Sequence, residues 1–141
     1  MSKNMEIAKK FLQAIEDGNI EKVLPYLSED FVFEGPVPQP LGKQQYAGFL
    51  QTISEAFSDF KYNASDFSEN NNAVSCNMKI TGKHTGKLEL PNMEPILATN
   101  KSFELPIQKS TVFLNGEKIT KLSANVSKGG GIEGIIKQIR S

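Results

Sequence analysis

The chain has 141 residues, enough for one domain with a substantial core and too few for two. Its 16 basic and 16 acidic residues cancel, which leaves no surplus charge to grip nucleic acid over one face. No apolar run approaches the roughly 20 residues that cross a bilayer, and the first residues show no leader pattern, so a cytoplasmic protein is expected.

"MSKNMEIAKKFLQAI" places Met5, Ala8, Phe11, Leu12 and Ile15 at three- and four-residue spacing, which predicts an amphipathic helix stopped at Gly18. Asn19 is positioned to cap a short second helix, distorted by Pro25. "DFVFEG" reads as a brief strand and "GPVPQPLG" as a loop whose prolines suppress ladder pairing. A third helix fits "GKQQYAGFLQTISEAF", with Tyr46, Phe49, Leu50, Ile53 and Phe57 on one side. After Phe57 the period falls from 3.6 to 2, and four long strands follow. An asparagine run turns the first pair, "PNMEPILATN" at 91–100 forms a loop, and "NG" turns the last pair. "SKGGG" ends the sheet before a closing amphipathic helix. Helices followed by a long antiparallel sheet make an α+β domain over 1–141, with a concave apolar pocket expected between them.

The lone cysteine, Cys76, lies in an alternating run and reads as a buried structural thiol. No cluster of ligand residues suggests a metal, and no cofactor is expected.

In combination, "AIEDGNIEKVLPYLSEDFVFEGP", "LGKQQYAGFLQTISEAFSDFKY", "ITGKHTGKLEL" and "NGEKITKL" carry a resemblance. In their order and spacing the chain resembles the SnoaL-like branch, named after polyketide cyclases, of the nuclear transport factor 2-like superfamily. The resemblance implies a cone-like α+β barrel with helices packed in a strongly curved antiparallel sheet, and a homodimer across the outer sheet face. Ketosteroid isomerases of this superfamily use an aspartate base, a tyrosine and a protonated acid. Their positions fall here at Gly35, Phe11 and about Lys109, none of which supplies that chemistry. The cyclases rely on an aspartate on the last strand, yet here no carboxylate stands between Glu117 and Glu133, only Ser123, Asn125 and Ser127.

Glu34 is the carboxylate nearest the lost base, and two readings of it remain open. It is a relocated base, or an ordinary acid turned outward by alternation with Phe31 and Phe33. Lys109 reads either as its partner in the cavity or as a residue of the outer face. His84 and Asn125 are candidate orienting groups beside Glu34, with His84 also read as a rim residue bonded to a backbone carbonyl. Ligand-lining candidates are Phe11, Ile15, Phe33, Phe49, Ile53, Phe57, Met78, Phe103, Leu105 and Phe113, with Lys109 and Ser123 as polar members. The expected function is binding of a small apolar molecule, with cyclase- or isomerase-like catalysis at a non-standard site. The alternative is a non-catalytic homodimeric module whose cavity is filled by its own side chains.

Overall fold

The structure is a computed structural model that describes residues 2–91 and 93–141, so Asn92 in the expected 91–100 loop lies outside the described residues. Helix α1 (Lys3–Glu16) is capped by Ser2, whose hydroxyl accepts from the Met5 N–H at 3.0 Å. It buries Ala8, Phe11, Leu12, Ala14 and Ile15. Gly18 turns left-handed at φ +72°, and the Gly18 and Asn19 N–H groups double back to the Ile15 and Ala14 carbonyls. Asn19 caps α2 (Ile20–Val23), and Pro25 starts a 3-10 turn over Leu24–Tyr26.

Strand β1 (Leu27–Glu34) pairs with the two-residue β2 (Leu41–Gly42), and α3 (Lys43–Ala56) follows at once. Beyond α3 each of the first three long strands predicted from the period-2 pattern is two strands with a break between them. They are β3 (Phe57–Lys61) with β4 (Ser65–Asn70), β5 (Ala73–Met78) with β6 (Thr81–His84), and β7 (Ser102–Glu104) with β8 (Gln108–Asn115). Strand β9 (Lys118–Asn125) and α4 (Gly131–Arg140) complete the chain. One sheet runs β2-β1-β9-β8-β5-β4 and the other β3-β6-β7. β1 lies parallel to β9, so the sheet is mixed where an antiparallel one was expected. The two strands come from opposite ends of the chain, and no hairpin dictates their relative direction.

The three breaks fall side by side and form a crease. The Lys79 N–H donates to the Tyr62 carbonyl at 2.8 Å and the Leu105 N–H to the Ile80 carbonyl at 2.9 Å, so hydrogen bonding continues through it. Asn63, left-handed at φ +48°, donates from Nδ2 to the Lys79 carbonyl at 2.8 Å and to Thr81 Oγ1 at 3.2 Å. Pro106 interrupts the third strand because it has no N–H to give. The sheet folds over at this line, and Tyr62, Ile80 and Leu105 turn inward from it.

The "GKHTG" stretch ties the far end of the crease to α3. A Cβ at Gly82 would meet the Phe103 ring at 2.8 Å, and one at Gly86 would meet the Glu55 carbonyl at 2.0 Å. That closeness lets the Thr85 and Gly86 N–H groups both reach the Ala56 carbonyl at 3.0 Å and finish the helix. His84 itself is fully buried, 5.6 Å from the Phe57 ring. Its Nδ1 accepts from the Thr99 N–H at 3.2 Å and lies 3.0 Å from Thr99 Oγ1. The His84 carbonyl takes the Asn100 N–H at 2.8 Å, so backbone and ring together pin the end of the 85–101 segment. Among the described residues, no helix is long and apolar enough to cross a membrane.

Two tests follow from these contacts. Asn63→Gly removes the two Asn63 side-chain bonds across the crease without straining the left-handed backbone, and should lower the unfolding free energy by about 1–2 kcal/mol in urea titrations; an unchanged midpoint would dismiss these bonds. Burial lowers the His84 pKa, against a smaller upward pull from the Gly86 and Ile96 carbonyls, neither of which completes a hydrogen bond to Nε2. The unfolded chain therefore takes up this proton first. Stability from His84 is full above about pH 6.5 and is lost as pH falls through the depressed folded value. Urea titrations across this range should show a decline that His84→Gln flattens; an equal decline in the variant would assign it to other groups.

Candidate functional site

Inside the fold over the crease lies a cavity of about 60 Å³. One wall is Phe33 of β1 with Tyr46, Phe49, Leu50 and Ile53 of α3. The creased sheet supplies Phe60, Tyr62, Met78, Ile80 and Leu105, then Gln108 and Ser110 of β8 and Leu122 and Ala124 of β9. Ile132 and Ile135 of α4 close the remaining side, where the Ile132 N–H donates to the Pro36 carbonyl at 2.9 Å. Pro36, Phe49 and Phe60 are the half-buried members of this wall. Its aromatic rings are held by each other, Phe33 lying 4.7 Å from Tyr46 and 5.7 Å from Phe49, centroid to centroid.

Four polar side chains interrupt the apolar lining: Tyr46, Tyr62, Gln108 and Ser110. Gln108 Nε2 donates to Ser110 Oγ at 3.2 Å, which leaves Gln108 Oε1 buried with no partner among the described residues. The Tyr46 hydroxyl is likewise buried and completes no hydrogen bond of ordinary length among them, although the Tyr62 side chain lies beside it. Burial, and next to it the neighbouring Tyr62, pushes the Tyr46 pKa well above the usual tyrosine value. Tyr62 is raised by burial and then by the charge of Glu16, whose carboxylate accepts the Tyr62 N–H at 2.9 Å. Both phenols therefore stay protonated and act as donors. None of the cavity's lining residues is Asp, Glu, Lys, Arg or His.

The expected catalytic residues are not brought together. Glu34 points away from Phe31 and Phe33 to the outer sheet face, where it accepts from Ser123 Oγ at 3.3 Å and lies 3.9 Å from Lys121 Nζ. Asn125 is exposed on the same face, and His84 is sealed in the core at the other end of the crease. Lys109, Ser123 and Phe113 also face outward, against the expectation that they line the cavity. Two irregularities explain this. Extrapolating from Phe103 and Leu105 by strict alternation puts Lys109 and Phe113 inside, but Pro106 and Ile107 both turn out and shift the phase by one. Gln108 and Ser110 go in instead. In β9 the register slips opposite Phe113 and Leu114, so Thr120 and Lys121 both turn out and Ser123 and Asn125 follow. The group facing the cavity where the resemblance put an acid at about Lys109 is thus Gln108.

Of the expected lining, Phe33, Phe49, Ile53, Met78 and Leu105 line the cavity. Phe11 and Phe103 are core, with Phe103 packed 5.1 Å from Phe57. Ile15 and Phe57 line a separate, more polar hollow of about 170 Å³ with Glu16, Asp17 and Asp59. Tyr62 and Gln108 were not among the expected lining; polar residues two apart at 108 and 110, between Leu105 and Val112, are the signal that points to one face of a strand. Cys76 is buried and its thiol is pushed up to about 11 by desolvation, which makes it inert at neutral pH.

The SnoaL-like domain matches residues 8–121. A candidate SnoaL-like polyketide cyclase from Jannaschia superposes with TM-score 0.76 at 12% identity, covering 99% of this chain and 92% of that one. A candidate polyketide cyclase from Xanthomonas campestris gives 0.74 at 15% identity, covering 97% and 96%. A protein of ketosteroid isomerase-like fold from Catenulispora acidiphila, solved in complex with trimethylamine, gives 0.69 at 14%, covering 91% and 90%. These likenesses show a shared fold. No curated protein matches the chain. The SnoaL-like match spans most of the sequence and the fold agrees over nearly all of it, and the chain belongs to the SnoaL-like domain family.

Proposed function

We propose that the protein binds a small, uncharged, largely apolar molecule in the cavity between α3, α4 and the creased sheet. The observation that carries this is an apolar cavity at the centre of the fold whose lining has no ionisable group that titrates near neutral pH. That candidate polyketide cyclases share the fold supports a ligand-binding reading in general. The chemistry these side chains can supply is orientation and hydrogen-bond donation from two protonated phenols, which stabilises charge developing on a bound oxygen. Proton abstraction needs a base the cavity does not contain. A volume of about 60 Å³ has room for roughly four to six waters, so the occupant is small or inserts one end past Pro36, Phe49 or Phe60. Residence in the cytoplasm belongs to the same reading, supported by a single buried, unpaired cysteine.

A second copy of the chain is the proposed partner, through the outer face of the six-stranded sheet. Phe113 stands 38% exposed there, with Lys121 Nζ 5.6 Å from its ring centre. Phe113→Glu should convert a dimer to a monomer in sedimentation velocity; wild-type protein that sediments as a monomer would remove this partner.

Ala124→Leu fills the cavity from β9. Native mass spectrometry of protein from cell extract should show an added mass on the wild type that the folded variant lacks. Added mass of equal occupancy in the variant would place the ligand elsewhere, and no added mass on either would contradict a tightly held ligand.

A further inference from the structure

Native proteins leave few buried polar atoms without a hydrogen bond, because each forfeits its solvation and regains nothing. Here two belong to side chains that line one cavity. Gln108 is 4% exposed and Tyr46 1%, so neither reaches bulk water. Gln108 spends its amide on Ser110 and presents Oε1, an acceptor, to the interior. Tyr46 presents a hydroxyl that donates and also accepts. No ionisable side chain among the lining residues offers a counter-charge.

We propose, resting on the ligand-binding reading above, that Gln108 and Tyr46 select a neutral ligand bearing a hydroxyl group on a small apolar body. A hydroxyl donates to Gln108 Oε1 and accepts from Tyr46, filling both vacancies with one functional group. It also meets the Gln108 amide in either of its two orientations, since it both donates and accepts. A ketone or aldehyde carbonyl accepts from Tyr46 but leaves Gln108 Oε1 orphaned. A carboxylate cannot donate to Gln108, and its charge would be buried with no cation beside it. A hydrocarbon leaves both atoms unpaired. The ring-lined wall of Phe33, Phe49 and Phe60 suits the apolar body.

Phenol, toluene and benzaldehyde each exceed the cavity of about 60 Å³ and enter by their substituent past Pro36, Phe49 or Phe60; they are near-equal in size and differ in this group, so they serve as probes. Calorimetric titration of the full chain should give phenol roughly tenfold tighter binding than toluene, with benzaldehyde between them. In Gln108→Met and Tyr46→Phe the phenol preference should shrink towards unity while toluene still binds. Toluene or benzaldehyde binding wild-type protein as tightly as phenol would overturn hydroxyl selection and leave the cavity reading standing. A preference that survives both substitutions would assign it to other groups and overturn this pairing. Failure of all three probes to bind overturns both. Should either variant fail to fold, the three wild-type affinities decide the matter alone.

Discussion

A β-sheet closes over a cavity only if its strands bend together, and bending interrupts the ladder that holds them. The protein places three interruptions side by side at residues 62–64, 79–80 and 105–107 and keeps two backbone bonds running through the gap. Asn63 answers the Lys79 carbonyl that the break would otherwise strand. The cost of bending is thus met locally, and the side chains at the crease, Tyr62, Ile80 and Leu105, become the cavity's inner wall.

The same interruption decides which chemistry enters. Side-chain direction in a strand has period two, so one extra outward residue reverses everything beyond it. Pro106 and Ile107 supply that residue in the third broken strand, and the slip at Thr120 supplies it in β9. Had alternation continued, Lys109, Ser123 and Asn125 would face the ligand. Instead Lys109, Ser123 and Asn125 lie outside with Glu34, and the interior receives Gln108, Ser110 and Ala124. The cavity is left neutral, closed by α4 and lined by phenols held in their protonated form.

Much of this was legible in the sequence. The 3.6-residue stripe of α1 and α3, the stops at Gly18 and Pro25, and the "NG" turn follow from local physics and stand where that physics puts them. Alternation with Phe31 and Phe33 gives the direction of Glu34. What could not be read was phase across an interruption: Pro106 announces a break but not how many residues it consumes. The "GKHTG" stretch was legible as a motif, while its reason is tertiary. Gly82 makes room for Phe103, Gly86 for the end of α3, and His84 serves as an anchor for Thr99, away from the candidate catalytic residues with which the sequence reading grouped it. Parallel pairing of β1 with β9 likewise depends on contacts between the two ends of the chain.

A ligand held in the crease against Tyr46 and Gln108 is what the proposed function requires. The most direct measurement is a high-resolution crystal structure of the protein purified without added ligand or denaturant. Gln108 and Ser110 should face inward, with continuous density within hydrogen-bonding distance of the Tyr46 hydroxyl and the Gln108 amide. A crease collapsed onto its own side chains, with Lys109 in place of Gln108 or with no space beside Tyr46, would contradict it.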